Sequence, residues 1–385
     1  MVTIMTDVRV HVSNMFDGQD YAADQVLSIR DGVIVDIDDN ITQVDMFLQG
    51  LVVPGYIDLQ VNGGGGALFN DAPTLSTIQT MMKAHSRYGT TAMLPTLITD
   101  NIEVMSKAAD AIAMAIADKV PGILGIHFEG PHLSVAKKGA HVAQYIRPIS
   151  EQEWGILSRK DLGQILVTLA PETVACEEIE RMVSLGIKVS LGHSNADYNT
   201  AQMAINAGAD GFTHLYNAMS PIQGRAPGVT GCALLNDEAS CGLIVDGHHV
   251  DYASCQLALK TKPSGSIYLV TDSMPPVGTA DTEFNLVGKK VSLADGKLTS
   301  STGELAGSVL DMATAVANTH RKIGLSLDES IRMASQYPAN YINQGNKRGH
   351  LAIGCKADFV VLNNALTVNS TWIAGQAVYT RKKQK

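Results

Sequence analysis

The sequence has few cysteines and no paired cysteine motif. Its five cysteines are odd in number and form no C-x-x-C pair, which excludes a disulfide framework and a structural zinc knuckle. Reduced thiols of this kind are typical of the cytoplasm, where we expect the protein to be located. The cysteines are Cys176, Cys232, Cys241, Cys255 and Cys355.

Long apolar runs and positive charge are also scarce. The longest apolar stretch, around 108–117, is interrupted by Asp110 and is too short to cross a bilayer. No basic-then-apolar secretion signal is present. The formal charge of −9, with a pI of about 5.6, disfavours nucleic acid and anionic membranes as partners. Any anionic substrate therefore needs a local cationic pocket.

The composition is that of an ordinary globular enzyme, since 45% of the 385 residues are hydrophobic and 17% are charged. Both ends alternate apolar and polar residues like half-buried strands, at 7–11, 25–29 and 33–37 and again at 358–362 and 372–379. We therefore expect a small β-sandwich domain built from residues 1–52 and 351–385. The remaining residues, 53–350, are long enough for one large second domain.

That central part alternates short apolar runs with helix-length stretches eight times. This rhythm predicts a (β/α)₈ TIM-type barrel, whose active site lies at the carboxyl ends of the strands. Residues 281–302 interrupt the rhythm and predict a hairpin excursion, followed by two closing helices near 307–323 and 327–337. The predicted strands begin near Leu51, Thr90, Gly122, Ile165, Ile187, Gly211, Gly242 and Ser266.

Four residues that can carry metal-dependent chemistry come directly after predicted strands: Glu129, His193, His214 and Asp272. A hydrolytic metal site needs a few imidazole or carboxylate ligands, an open position for water and a nearby base. Glu129, His193 and His214 can supply the ligands, and Asp272 can supply the base. Their shared position favours a metal-dependent hydrolase.

The two histidines and Asp272 also have a structural interpretation. A single histidine is more often a hydrogen-bonded core or loop residue than a ligand. Asp272, followed by Ser273 and two prolines, could be a helix N-cap. The convergence of four such residues at one end of a barrel is what favours the functional interpretation.

A set of ordered motifs extends along almost the whole chain and resembles the N-acetylglucosamine-6-phosphate deacetylases of the amidohydrolase superfamily. Single motifs are weak signals, but the ordered set is specific. The motifs are PGYIDLQVNG (54–63), GIHFEGPH (125–132), KKGAH (137–141), LGHS (191–194), THLYNAM (213–219), GRAPG (224–228), DGHHVD (246–251), VTD (270–272) and LAGS (305–308).

The resemblance implies hydrolysis of the acetamide of N-acetylglucosamine 6-phosphate to glucosamine 6-phosphate and acetate. It implies that Glu129, His193 and His214 bind the metal, that Asp272 is the general base and later the acid, and that His141 polarises the carbonyl. Water activated at the metal would attack that carbonyl. The substrate-binding residues it implies are Gln60, Asn217, Ala218, Arg225, His249, Ala306, Gly307 and Ser308.

The resemblance also implies a homodimer, in which Arg225 reaches the phosphate in the neighbouring subunit's site. A guanidinium suits bidentate contact with phosphate oxygens. His248 stands where the family usually has an aliphatic residue, and of the two adjacent histidines we assign the phosphate contact to His249.

The expected cofactor is one divalent metal ion per subunit. Many amidohydrolases hold a second ion with an H-x-H motif after the first strand, whereas this chain has Gln60-Val61-Asn62 there. Neutral amides bind transition metals poorly beside imidazole. Zinc is the leading candidate for a mixed nitrogen and oxygen site, with Fe²⁺ and Co²⁺ as alternatives.

Three alternatives stay open. The chain could deacylate N-acetylgalactosamine 6-phosphate, because one hydroxyl contact separates the two epimers. It could act on an N-acyl amino acid, a cyclic amide or an isopeptide, for which a phosphate pocket has no purpose. It could also be a barrel that serves as a non-catalytic scaffold, although a scaffold does not need clustered titratable groups.

Overall fold

The computed structural model describes residues 7–301 and 303–382. The outer limits of the expected β-domain, at 1 and 385, and the last residue of the expected excursion, Thr302, lie outside the described residues. Within the described ranges, no helix combines the length and the apolar character needed to cross a bilayer.

The strands, in chain order, are β1 (Asp7–Phe16), β2 (Tyr21–Arg30), β3 (Val33–Asp38), β4 (Met46–Pro54), β5 (Tyr56–Val61), β6 (Gly63–Gly64), β7 (Ala67–Leu68), β8 (Thr90–Ile98), β9 (Gly125–Glu129), β10 (Gln164–Leu169), β11 (Lys188–Leu191), β12 (Gly211–Phe212), β13 (Ser240–Leu243), β14 (Ile267–Leu269), β15 (Glu283–Leu286), β16 (Lys289–Ala294), β17 (Lys297–Ser300), β18 (Phe359–Leu362), β19 (Val368–Ile373) and β20 (Gln376–Thr380).

The α-helices are α1 (Leu75–Ser86), α2 (Ile102–Ala117), α3 (Glu151–Leu157), α4 (Cys176–Ser184), α5 (Tyr198–Asn206), α6 (Gly228–Leu235), α7 (Tyr252–Thr261), α8 (Met312–Asn318), α9 (Leu327–Ala334) and α10 (Gln336–Tyr341). Short 3₁₀ turns lie at Val135–Lys137 and Ala143–Tyr145, and a π-helical turn at Thr319–Ile323 follows α8.

Eight parallel strands form the barrel predicted from the sequence. They pair in chain order, β5-β8-β9-β10-β11-β12-β13-β14, and a parallel bridge between Val61 and Ser273 joins the first strand to the chain after the last. β5 and β8 are buried along their whole length, as expected of strands covered on both faces. Polar N-caps begin the helices that follow these two strands. The Thr74 hydroxyl accepts a hydrogen bond from Thr77 N–H at the start of α1, and the Asn101 side chain accepts one from Val104 N–H at the start of α2.

Both ends of the chain build a seven-stranded sheet of order β20-β19-β18-β4-β1-β2-β3, mostly antiparallel. Its alternating strands bury one face in a separate apolar cluster, in which Phe359 and Trp372 stack with ring centroids 5.3 Å apart. The expected additional β-domain is therefore confirmed as one mostly antiparallel sheet within the described residues, whereas its bounds at 52 and 351 stay a prediction.

Several predicted boundaries differ from the structure. The strand predicted near Leu51 belongs to β4 of the terminal sheet, and the first barrel strand begins at Tyr56, because the apolar run continues through Gly55 without a turn. The predicted strand at 372–379 is interrupted at Ala374 and Gly375, both at positive φ, which form the turn between β19 and β20. The closing helix predicted from 307 starts at Met312, after its N-cap Asp311.

The excursion after the last barrel strand is a three-stranded antiparallel sheet of order β15-β16-β17. Its inner face carries Leu286, Val291 and Leu298, which are buried against Ile98 and Met274 of the barrel. The outer face carries charged residues such as Glu283 and Lys290, which form an ion pair of 2.8 Å. The excursion thus adds an amphipathic cover beside the carboxyl ends of the barrel strands.

Candidate functional site

Three predicted metal ligands converge at the carboxyl ends of three barrel strands. Glu129 is the last residue of β9, His193 lies two residues after β11, and His214 lies two residues after β12. His193 Nε2 and His214 Nε2 are 3.1 and 3.0 Å from Glu129 Oε1, and 3.0 Å from each other. All three side chains are buried. The geometry therefore brings three donor atoms together at one point.

The tautomer of His193 suits metal binding. Its Nδ1 lies 2.9 Å from the Lys137 carbonyl oxygen, which can only accept a hydrogen bond, so Nδ1 carries the proton. Nε2 then presents its lone pair to the other two donor atoms. Burial disfavours ionisation of Glu129, but the neighbouring His193 and His214 imidazoles hold its pKa well below its usual range. Two imidazoles and one glutamate form a ligand set found in catalytic zinc sites.

Asp272 lies beside this cluster, three residues after β14, and is held by amides from the first strand. Its Oδ1 accepts hydrogen bonds from Asn62 Nδ2 at 2.6 Å and from Gln60 Nε2 at 3.3 Å. Burial, together with the nearby charge of Glu129, raises the pKa of Asp272 to about 6. No helix begins at Asp272, which removes the N-cap alternative. Its carboxylate is thus placed, and its basicity raised, as a proton acceptor requires.

The backbone at these strand ends is strained. His193, His214 and Asp272 have φ values of 48°, 33° and 52°, and Ala218 has 51°. Side-chain-bearing residues rarely adopt this left-handed region, and each instance costs on the order of 1–3 kcal/mol. Such strain clusters at functional sites, where it serves to aim side chains at a common point.

His141 adds a hydrogen-bond donor on another side of the cluster. The Thr99 backbone N–H lies 3.3 Å from His141 Nδ1 and can only donate, so Nδ1 is an acceptor and the ring proton resides on Nε2. Burial, aided by the neighbouring His193, lowers the pKa of His141 to about 3. The ring is therefore neutral at neutral pH and offers its Nε2–H to a ligand oxygen.

The residues expected to meet the phosphate divide into two groups. Asn217, Ala218 and His249 line the same cavity as the metal cluster. His249 is oriented by Asp246, whose Oδ2 lies 2.6 Å from Nδ1. Arg225 is exposed and does not line the cavity of its own chain, because it lies at the tip of a two-residue turn closed by hydrogen bonds between Gln223 and Ala226.

The structure also distinguishes the two adjacent histidines. His248 is exposed and its Nε2 lies against Gly296, in the turn between β16 and β17. Only His249 of the pair lines the cavity.

Four further residues expected at the substrate have different positions. Of the 306–308 segment, Gly307 lines the cavity, whereas Ala306 is buried in the apolar cluster below the excursion. The Ser308 hydroxyl donates to the Thr271 carbonyl oxygen at 2.5 Å, behind the site. Gln60 is also buried, and its amide donates to Glu129 Oε1 at 3.1 Å as well as to Asp272. Gln60 thus links the cluster of candidate metal ligands to Asp272, the candidate base.

Two polar residues of the site were missed by the sequence analysis. Asn62 lines the cavity and makes the shortest hydrogen bond to Asp272, and its Oδ1 is buried without a partner among the described residues. Asp58 lies deeper in the barrel, where it accepts from the Thr271 hydroxyl at 2.6 Å, and burial raises its pKa to about 7. Asn62 could have been found from the Gln60-Val61-Asn62 triplet, since residues two apart on a strand share a face.

The cavity that these groups line has a volume of about 410 Å³, within the range of small-molecule sites. One side is polar and carries the metal cluster, Asn217 and His249. The apolar side is formed by Ile98, Met274 and Leu286, which belong to one buried cluster, and by Ala140, which packs against that cluster.

The comparison with protein-family models matches residues 51–378 to the amidohydrolase family. An N-acetylgalactosamine-6-phosphate deacetylase from Shewanella sp. (strain ANA-3) is 50% identical over 336 residues, which cover 87% of this chain and 85% of that protein. An N-acetylglucosamine-6-phosphate deacetylase from Haemophilus influenzae is 35% identical over 325 residues, which cover 84% of this chain and 85% of that protein.

Among solved structures, an N-acetylglucosamine-6-phosphate deacetylase from Pasteurella multocida superposes with a TM-score of 0.93 at 36% identity. The superposition covers 98% of this chain and 100% of that chain. The similarity therefore includes the barrel, the terminal sheet and the site.

Proposed function

This chain belongs to the amidohydrolase family, as its motifs predicted, and on that premise we propose that it deacetylates an N-acetylated hexosamine 6-phosphate. The products would be acetate and the free amino sugar phosphate. One observation carries the proposal: the three donors Glu129, His193 and His214 share a single cavity with Asp272, His141 and the polar groups Asn217 and His249. Hydrolytic groups and anion-binding groups thus face the same ligand.

Glu129, His193 and His214 would hold one divalent ion, with zinc as the leading candidate and Fe²⁺ or Co²⁺ as alternatives. The fit rests on three donor atoms 3.0–3.1 Å apart, one of which belongs to an imidazole whose proton is held at the opposite nitrogen. When bound, the ion would supply Lewis-acid chemistry, polarising the amide and lowering the pKa of water.

The protein groups would carry the protons. Asp272 accepts a proton from the attacking water while the water oxygen forms a bond to the acyl carbon. His141 donates its Nε2–H to the oxygen on which negative charge develops. Asp272 then returns the proton to the nitrogen as the carbon–nitrogen bond breaks, which releases the amine and leaves acetate.

The phosphate would bind at Asn217, the Ala218 backbone and His249, supplemented by Arg225 of a second subunit. This dimer is supported by the exposed turn that carries Arg225, which is not among the residues lining its own cavity. Mixing Arg225→Ala with Asp272→Asn subunits tests it, since each mixed dimer would contain one complete site. We expect about a quarter of wild-type activity after random exchange. Two variants that stay inactive after verified subunit exchange would contradict an Arg225 supplied by the partner.

The two epimers of the sugar are separate candidates. N-acetylglucosamine 6-phosphate is the substrate implied by the sequence motifs, and the structural relative is named for it. N-acetylgalactosamine 6-phosphate is favoured by the relative at 50% identity, compared with 35% for the glucosamine-named protein.

Acetate release tests the proposed function. Metal-replete protein is incubated with each phosphorylated epimer and with unphosphorylated N-acetylglucosamine, and Asp272→Asn is the control. Acetate from a phosphorylated sugar alone, absent in the control, would support deacetylation with a phosphate requirement, and the ratio of kcat/KM would rank the epimers. No acetate from any of the three, with metal confirmed bound, would refute the proposal.

A further inference from the structure

The apolar side of the cavity has no role in the reaction as described so far. Ile98, Met274 and Leu286 line the cavity and belong to one buried apolar cluster, with Ala140 packed against it. None of these four side chains can ionise or donate a hydrogen bond, and the Met274 thioether is only a weak acceptor. A phosphorylated sugar is polar over most of its surface, so a wall of this kind needs an apolar fragment of the substrate as its partner.

We propose that this wall is the acyl subsite, and that Leu286 of the excursion sheet limits the length of the acyl chain that the enzyme removes. The inference rests on the proposed deacylation of a phosphorylated amino sugar. It assigns to the excursion a role in substrate selection, beyond covering the barrel.

The position of the wall relative to the catalytic groups supports this assignment. The acyl carbon bears three substituents: the carbonyl oxygen, the nitrogen and the acyl chain. The oxygen belongs at His141 and the metal cluster, and the nitrogen faces the sugar. Ala140 directly precedes His141, and Met274 lies two residues after Asp272, so two residues of the wall belong to the chain segments that carry the groups acting on the carbonyl. The acyl chain, as the remaining substituent, is assigned to these apolar residues.

The wall is rigid on its barrel side. The Asn70 side chain holds Ile98 from both directions, since Oδ1 accepts from Ile98 N–H at 3.1 Å and Nδ2 donates to the Ile98 carbonyl at 3.0 Å. Met274 is packed against Gly307, where an added Cβ would lie 2.6 Å from the Met274 Cγ and Cε atoms. Neither residue can retreat to admit a longer chain without disturbing the site.

Leu286 is the member of the wall that comes from the excursion, and the excursion sheet fixes it at the end of β15. It pairs with Lys289 across a turn whose central residues, Val287 and Gly288, both have positive φ. Such two-residue turns set the register of a hairpin. Leu286 is also 3% exposed, so its side chain is fully engaged between the cavity and the cluster.

The test compares substrates that differ only in acyl length: the N-acetyl, N-propionyl and N-butyryl forms of the preferred hexosamine 6-phosphate. In Leu286→Ala we expect the kcat/KM ratio of propionyl to acetyl to rise about tenfold or more, since a methylene in a tight pocket is discriminated by roughly 10–200-fold. Leu298→Ala is the matched control, because Leu298 is 1% exposed in the same cluster but does not line the cavity.

The possible outcomes distinguish a wrong acyl subsite from a wrong proposed function. Leu298→Ala should keep the wild-type acyl ratio, which distinguishes a local pocket from general loosening of the sheet. A folded Leu286→Ala with wild-type acetyl turnover and an unchanged ratio would overturn the acyl subsite alone, and Leu286→Val provides a milder truncation if Leu286→Ala does not fold. A wild-type protein that releases no acylate from any of the phosphorylated sugars would instead overturn the proposed function.

Discussion

The surroundings of Asp272 affect the pKa of its carboxyl group in two opposite directions. Its carboxylate is buried beside the Glu129 carboxylate, which raises its pKa to about 6, yet two amide groups stabilise the ionised form. A base with a pKa near the working pH both accepts and returns a proton efficiently. The environment of Asp272, more than its identity, therefore supports its proposed role.

We predict that Asp272→Asn lowers kcat about 10²–10⁴-fold, since a positioned acid–base group contributes on that order. The amide has nearly the same shape but cannot accept the proton. Steady-state acetate release measures the loss, and metal analysis of the variant provides the control, because Glu129, His193 and His214 are intact. Near-normal turnover with metal bound would exclude Asp272 as the base.

The pH profile of kcat/KM should have an acidic limb set by Asp272. Only the ionised carboxylate accepts a proton, so activity is expected to fall as the pH decreases through about 6. Asn62 donates a hydrogen bond that lowers the pKa of Asp272, and Asn62→Ala should therefore move the limb to higher pH. A limb that stays in place in Asn62→Ala would show that another group controls it.

At this scale the sequence predicted which residues form the candidate metal site and that Asp272 lies beside them, but it missed Asn62 and Thr99, which contact Asp272 and His141. Glu129, His193, His214 and Asp272 follow apolar runs, and this position is visible in the sequence. Thr99, which orients His141, directly follows β8, and its contact with His141 depends on how two loops that are far apart in the chain fold together. His127, which lies in the GIHFEGPH motif two residues before Glu129, is instead in the barrel interior, against the Leu59 carbonyl.

At the scale of elements, the segment after the excursion supports the catalytic strand end. Ser308 N–H donates to the Asp272 carbonyl and Met274 N–H donates to the Ser308 carbonyl, so this segment extends the barrel edge by one short pairing. Gly307, which directly precedes Ser308, has a φ of 65°. A Cβ added to it would lie 2.6 Å from Met274 and 2.9 Å from the Asp272 carbonyl oxygen. The backbone there fits only glycine.

We predict that Gly307→Ala lowers kcat/KM about tenfold or more, because relieving both contacts displaces Asp272 and Met274. Gly303→Ala is the matched control. Gly303 also has positive φ, at 85°, but an added Cβ there meets nothing within 4 Å. Both variants share a backbone cost of about 1–2 kcal/mol. Equal kinetics in the two variants would mean that the contacts at Gly307 do not position the site.

Elements were predicted best where polar caps and periodic apolar residues coincide. The stretch 74–87 has the length and pattern of an amphipathic helix in the sequence, and α1 lies at Leu75–Ser86, because the Thr74 hydroxyl caps it. The helix expected from 307 starts five residues later, since Gly307 and Ser308 are required for the pairing with Asp272 and are not free to become helical. Tertiary pairing of this kind leaves no local signal in the sequence.

At the scale of the whole molecule, the metal cluster joins strands that are far apart in the chain. Glu129, His193 and His214 belong to the ends of three barrel strands, and Gln60 connects them to the first strand and to Asp272. In the unfolded chain these donors are separate, so a bound ion favours the folded state. Metal binding at these three donors should therefore stabilise the folded barrel.

We predict that a chelator lowers the Tm of the wild-type protein by several degrees. An ion at about 100 times its dissociation constant stabilises the folded state by about 2.7 kcal/mol, and its removal reverses that gain. His193→Asn removes one donor while keeping a polar side chain, so its Tm should depend much less on the chelator. Thermal unfolding of both proteins, with and without added Zn²⁺, measures the difference. An equal chelator response in both would place the stabilising ion elsewhere, because a site that has lost one of its three ligands cannot retain the same affinity.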